Sequence, residues 1–152
     1  MIGWAQPARV LSPLDPSKTK LLAGNRTTKA RSQDDRGRLD SSAAISGITL
    51  IFRPSPSQAG DLEQLLVEQR DPTSPNYHKW LTPEEYADRF GLGGNDIREV
   101  TSWLESEGFH IDSVARGRTW VMFSGSAGQA EKAFHAEIHR YSVEGQIGRA
   151  HV

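Results

Sequence analysis

The chain has 152 residues, enough for one domain of ordinary size, with 36% apolar residues, no cysteine and a formal net charge of −1. Lack of cysteine excludes a disulfide framework or a thiolate site, and the near-neutral balance argues for neither nucleic acid nor an anionic membrane as partner. No apolar run approaches the ~20 residues that a helical membrane span needs.

The charge is unevenly spread. Residues 1–44 hold eight Lys/Arg against four Asp/Glu, while residues 45–152 hold ten against fifteen. The start, "MIGWAQPARV", lacks the ~7–15-residue apolar core of a secretory signal. Pro7, Pro13 and Pro16 are followed by a polar run, "NRTTKARSQDDRGRLDSS", with no sustained period of 2 or 3.6. Residues 1–44 therefore read as an extended or flexible leader.

Order is expected from "AISGITLIF", Ala44 to Phe52, a β-branched strand stopped by Pro54 and Pro56. In "QAGDLEQLLVEQRDP", Leu62, Leu65, Leu66 and Gln69 fall at helical spacing, and Pro72 ends the helix. The connector "SPNYHKW" comes next. Thr82, Pro83 and Glu85 then form a capping box with proline at the first helical position, and Tyr86 and Phe90 share a face up to Gly91. A further helix is predicted from near Asn95, with Asp96 favoured by the helix dipole, through Ile97, Val100 and Leu104 to Gly108. "FHIDSV" and "TWVMFSG" alternate around "RGR", which predicts a hairpin. Ser126 and Gln129 make another capping box before "AGQAEKAFH", and "AEIHRYSV" reads as a last strand.

Strand, helices, strand, strand, helix, strand is the order of an α+β, ferredoxin-like fold. The expectation is a four-stranded antiparallel sheet with helices on one face and extra helices inserted after the first. The other face would be bare.

Several motifs invite chemistry and are better explained without it. "HAEIH" has Glu137 midway between His135 and His139, whereas a zinc protease helix needs Glu directly after the first His. Ser126 in "SGSAG" misses the nucleophile-elbow pattern, and its capping role accounts for it. "GLGG", Gly91 to Gly94, has no preceding strand and no following Lys-Ser/Thr, so it is a helix-to-helix joint rather than a phosphate loop. Glu84, Glu85 and Asp88 suit a helix start. "RGRTWVMF", Arg116 to Phe123, imitates the third strand of an RNA-recognition motif through Arg116, Gly117, Trp120, Val121 and Phe123. However, Arg118 stands at the first aromatic platform position and the folded region is acidic. No catalytic, cofactor-binding or metal residue is assigned.

"QRDPTSPNYHKWLTPEEYADRFG", "VTSWLESEGF" and "FSGSAGQAEKAFHAEIHRY" closely resemble, in order and spacing, the activation (pro) domain of the sedolisin–kumamolisin serine-carboxyl peptidases, from about Ile48 to Gly145. The resemblance implies the ferredoxin-like fold and a role as intramolecular chaperone and inhibitor of an acid-acting peptidase, released on acid activation. It also implies a cognate peptidase domain as partner, in cis or in trans, and a secreted or extracytoplasmic location. The family's catalytic Glu, Asp and Ser and its calcium site belong to the downstream domain, and their motifs are not in this sequence. The expected division is a leader over 1–44, a prodomain over 45–145 and the start of a truncated linker over 146–152, with both ends those of a fragment. The rival readings are a ferredoxin-like RNA-binding module and an orphan prodomain without a partner. On the prodomain reading His78 and Trp80 brace the inserted helices, Trp80 is substantially buried, and the bare sheet face docks the peptidase.

Overall fold

The structure, a computed structural model, describes residues 8–10, 18–21, 27–28, 30–143 and 146–151. Pro7, Pro13 and Pro16 of the expected leader lie outside the described residues. A 3-10 turn at Ser32–Asp34 leads into β1 (Asp35–Arg38) and then β2 (Ala44–Ile51). Three helices follow: α1 (Pro56–Glu68), α2 (Pro83–Phe90) and α3 (Gly94–Ser106). The chain continues through β3 (His110–Val114), β4 (Trp120–Ser126), α4 (Ala127–Phe134), β5 (Ile138–Val143) and β6 (Gln146–His151).

The architecture is α+β, but the expected single four-stranded sheet does not form. The strands make two three-stranded sheets, in the orders β2-β4-β3 and β1-β5-β6. The first contains three of the four expected strands. The fourth strand, β5, is engaged on both hydrogen-bonding edges by two strands that the sequence did not reveal, which leaves no edge for β2. One neighbour, β1, falls inside the stretch read as a flexible leader. The other, β6, falls where a linker was expected, and it pairs with β5 from Ile138 opposite His151 to Val143 opposite Gln146. Against β1 the register shifts between Asp35 and Arg38. Gly37 sits inside that irregularity at φ 86°, a conformation that glycine adopts without steric cost.

The described residues fall into two compact units. The first gathers 8–10, 49–103 and 111–122, with Leu65, Ala87, Phe90, Leu92, Val100 and Val121 buried. Here Phe52 N–H donates to Thr119 O across β2 and β4, and Leu92 N–H donates to Arg118 O. Gly91 is required by close approach: a Cβ there would lie 2.4 Å from the carbonyl oxygen of Gly117. The second unit gathers 18–21, 27–28, 30–48, 104–110, 123–143 and 146–151. Its core is aromatic. Phe109 meets Phe123 edge-on at 5.0 Å between centroids, and Phe134 lies 6.0 Å from each. Such geometry adds to the burial of apolar area.

Candidate interaction surface

The first unit's most unusual surface is the connector between α1 and α2. Helix α1 begins at a capping box in which Ser55 Oγ accepts from Gln58 N–H and the Gln58 side chain accepts from Ser55 N–H. Its apolar stripe ends in a polar residue, Gln69, which is 4% exposed. A buried amide needs partners, and the connector supplies them. The Gln69 side-chain Nε2 donates to Lys79 O, and the Gln69 backbone carbonyl accepts from His78 N–H at 3.1 Å. One residue earlier, the Glu68 carboxylate accepts from Asn76 Nδ2 at 2.6 Å and from Gln64 Nε2 at 2.7 Å. These two amides, Asn76 first, hold Glu68 below the usual carboxylate range. Between the ties, Asp71 Oδ1 accepts from Thr73 N–H and Oγ1, and successive turns bring Tyr77 N–H to Ser74 O.

The loop so mounted presents rings outward. Tyr77 and His78 stack with centroids 3.8 Å apart, and His78 stacks on Trp80 at 6.1 Å. Trp80 is 68% exposed and Tyr77 39%. The expectation that Trp80 is buried and braces the helices is therefore overturned: a wide ring after a proline-rich entry suggested a wedge, but the ties from Gln69 and Glu68 already seat the loop. His78 has φ 54°, a left-handed conformation that costs a non-glycine residue about 1–3 kcal/mol, though histidine is enriched there. Leu66 and Val67, in the last turn of α1, are exposed as well.

The carboxylates of α2 serve structure. Glu85 closes the capping box with Thr82, as expected, while Glu84 pairs with Arg116 at 2.8 Å and Asp88 with Arg118 at 2.5 Å. Arg116, the basic residue of the RNA-like strand, is thus engaged by Glu84. Val121 and Phe123 are fully buried, so Phe123 offers no ring for a base to stack on. Asp96, expected to serve the helix dipole, is 1% exposed and also accepts from the backbone N–H of Arg9 and Val10 at 2.9 and 3.0 Å.

In the second unit, Ser126 caps α4 as expected, its Oγ accepting from Gln129 N–H. His135 is exposed at the C-terminal cap of that helix, at φ 50°. His139 lies on β5, with Nδ1 2.8 Å from an Asp35 carboxylate oxygen and Nε2 3.3 Å from Glu137. Asp35 first, and then Glu137, raise its pKa above 6.5. Among the described residues no group of three or more His, Asp or Glu is placed to hold a metal ion. The residue that sequence reading missed is Glu131. Its carboxylate takes both Nε and Nη2 of Arg38 at 3.0 and 2.7 Å, and it also accepts from Ile138 N–H at 2.8 Å. Arg38 first, then the Ile138 amide, hold it below the usual range. The signal was available: Glu131 falls on the stripe of Ala127, Ala130 and Phe134, where an acid must find a partner.

Residues 32–151 match the family described as "Pro-kumamolisin, activation domain", and the chain belongs to that family. Its relatives are peptidases by name. It is 29% identical to tripeptidyl-peptidase sed1 of Aspergillus fumigatus, an alignment that covers 100% of this chain and 23% of that protein. It is 32% identical to xanthomonalisin of Xanthomonas sp. over 56% of this chain and 10% of that protein. It is 27% identical to sedolisin of Pseudomonas sp. over 59% and 15% respectively. The chain thus spans less than a quarter of the length of these relatives. Among the described residues no helix is long and apolar enough to cross a membrane.

Proposed function

We propose that this domain is the propeptide of a sedolisin-type serine-carboxyl peptidase. It acts as chaperone and inhibitor of the peptidase domain, in cis or in trans, without catalysis of its own. The observation that carries this is the activation-domain match over residues 32–151 in a chain whose relatives are peptidases several times its length. The working location is secreted or extracytoplasmic, like that implied for the family. Release in acid is part of the proposal. Residues 59–107 hold eleven Asp/Glu and four Lys/Arg, so carboxylates abound on this stretch. Those that meet cations or backbone donors on a partner have bound pKa values below their free ones. Their contribution to binding is then present above the free pKa, about 4, and is lost as pH falls through the bound one.

The test is inhibition of the peptidase domain of xanthomonalisin by the full chain, measured with a peptide substrate between pH ~3 and ~7. Inhibition at the upper end that weakens steadily toward pH ~3 is expected. No inhibition of this domain or of the corresponding sedolisin domain overturns the reading. Inhibition that strengthens in acid removes the release step alone.

A further inference from the structure

We propose that Trp80, stacked through His78 on Tyr77, is the anchor by which this domain docks on a sedolisin-type peptidase domain, an inference that rests on the propeptide reading. Large aromatic rings left in water are unfavourable unless something covers them, and tryptophan and tyrosine dominate the energetics of protein interfaces. Trp80 is 68% exposed, yet its loop is tied to the end of α1. Gln69 and Glu68 fasten it at Lys79, His78 and Asn76. His78 keeps a positive φ of 54° within the stack. A loop held in a costly conformation by part-buried bonds, with its rings facing outward, is organised before any partner arrives. That lowers the entropy lost on docking. Leu66 and Val67 extend the exposed apolar surface along the last turn of α1, the turn that carries these ties.

The occupant follows from the relatives. In those named above the matched segment makes up 10–23% of the protein, so most of each peptidase lies outside it. A propeptide that covers such a domain needs an apolar anchor, and among the described residues Trp80 is the largest exposed hydrophobic ring.

The experiment is calorimetric titration of the full chain into a catalytically inactive peptidase domain of xanthomonalisin at pH ~6, well above the acid range considered for release. Trp80→Ala is expected to weaken binding at least about 30-fold, the loss typical of an interface hot spot. Its melting temperature should stay near that of the parent chain. Trp80→Gln is the second variant should Trp80→Ala fold poorly, and Ile51→Ala, an exposed residue of β2, is the control with parental affinity. Parental binding by a folded Trp80 variant overturns the anchor and leaves the propeptide reading standing. No binding by the parent chain overturns both. Self-association of the parent chain that disappears in Trp80→Ala, with peptidase affinity intact, assigns the ring to a second copy and likewise overturns the proposal.

Discussion

Trp80 and Phe123 have similar bulk and opposite surroundings, and their substitution separates the two roles an aromatic residue serves. Phe123 is fully buried and meets Phe109 edge-on, with Phe134 beside it. Phe123→Ala removes the ring and leaves a cavity, so a loss of about 3–5 kcal/mol is expected. Trp80 gives up only its stack on His78 and a minority of its surface. Trp80→Ala is expected to cost about 1 kcal/mol or less. Denaturant unfolding of the two variants checks both values, and a Trp80→Ala loss as large as that of Phe123→Ala would restore Trp80 to the scaffold. Sequence alone does not separate these residues, because both are aromatic and both follow a predicted turn or strand signal. The difference lies in Gln69 and Glu68, whose ties to the connector turn its rings outward, and no local pattern announces such long-range bonds.

Among elements, the capped helices and the β3–β4 hairpin were legible because their signals are local: Thr82 with Glu85, Ser126 with Gln129, and alternation on either side of Arg116–Arg118. Strands β1 and β6 were not. "DRGR" carries no apolar alternation, and such a strand is recruited by the backbone of β5 rather than by its own side chains. Because β6 pairs along the whole of β5, deleting residues 146–152 is expected to strip one edge of that strand. Faster amide exchange in β5, and self-association through the freed edge, would follow. Exchange unchanged from the full chain would show that β6 contributes little.

Contacts to the same sheet carry opposed titrations, one from α4 and one within β5. Glu131 has a folded pKa below its unfolded value of 4.5, owing first to Arg38 and then to the Ile138 amide. Its stabilisation is present above pH 4.5 and is lost as pH falls through the folded value. His139 has a folded pKa above its unfolded 6.5, owing first to Asp35. Its stabilisation is present below pH 6.5 and is lost as pH rises through the folded value. These two groups together favour the window between. Melting temperatures should fall on either side of it, with Glu131→Gln flattening the acid limb and His139→Asn the alkaline limb. The acid limb does not vanish in Glu131→Gln, because Asp61, Glu68 and Glu84 are lowered as well, chiefly by Arg89, Asn76 and Arg116. A limb unmoved by its own variant would remove that pair from the account.

At the scale of the molecule, the family was legible and the sheet layout was not. The motifs that carry the resemblance lie in the connector, on α2, α3 and α4, at the end of β4 and on the first part of β5, and they say little about which strands pair. The sheet order depends on Asp35–Arg38 and Gln146–His151, which lie outside those motifs. The charge asymmetry read from the sequence also takes on a different meaning in the structure. Arg38 of the basic leader pairs with Glu131, and the Arg9 backbone meets Asp96, so leader and acidic body are joined within each unit by specific bonds. Acid acts on the Arg38–Glu131 pair, whose carboxylate is held below its usual range, as well as on any carboxylate that this domain turns toward a partner.

The outward ring also makes the domain an optical reporter of its own state. Of four tryptophans, Trp103 and Trp120 are partly shielded, whereas Trp80 stands in water against an imidazole. An indole in water emits at longer wavelength than one enclosed by protein. On the proposed docking, covering Trp80 would shift that emission to the blue, and the proposed release in acid would reverse the shift. Arrival and departure of a partner would then be readable in the intrinsic fluorescence of the unlabelled chain, in real time and at the one side chain on which docking is proposed to turn.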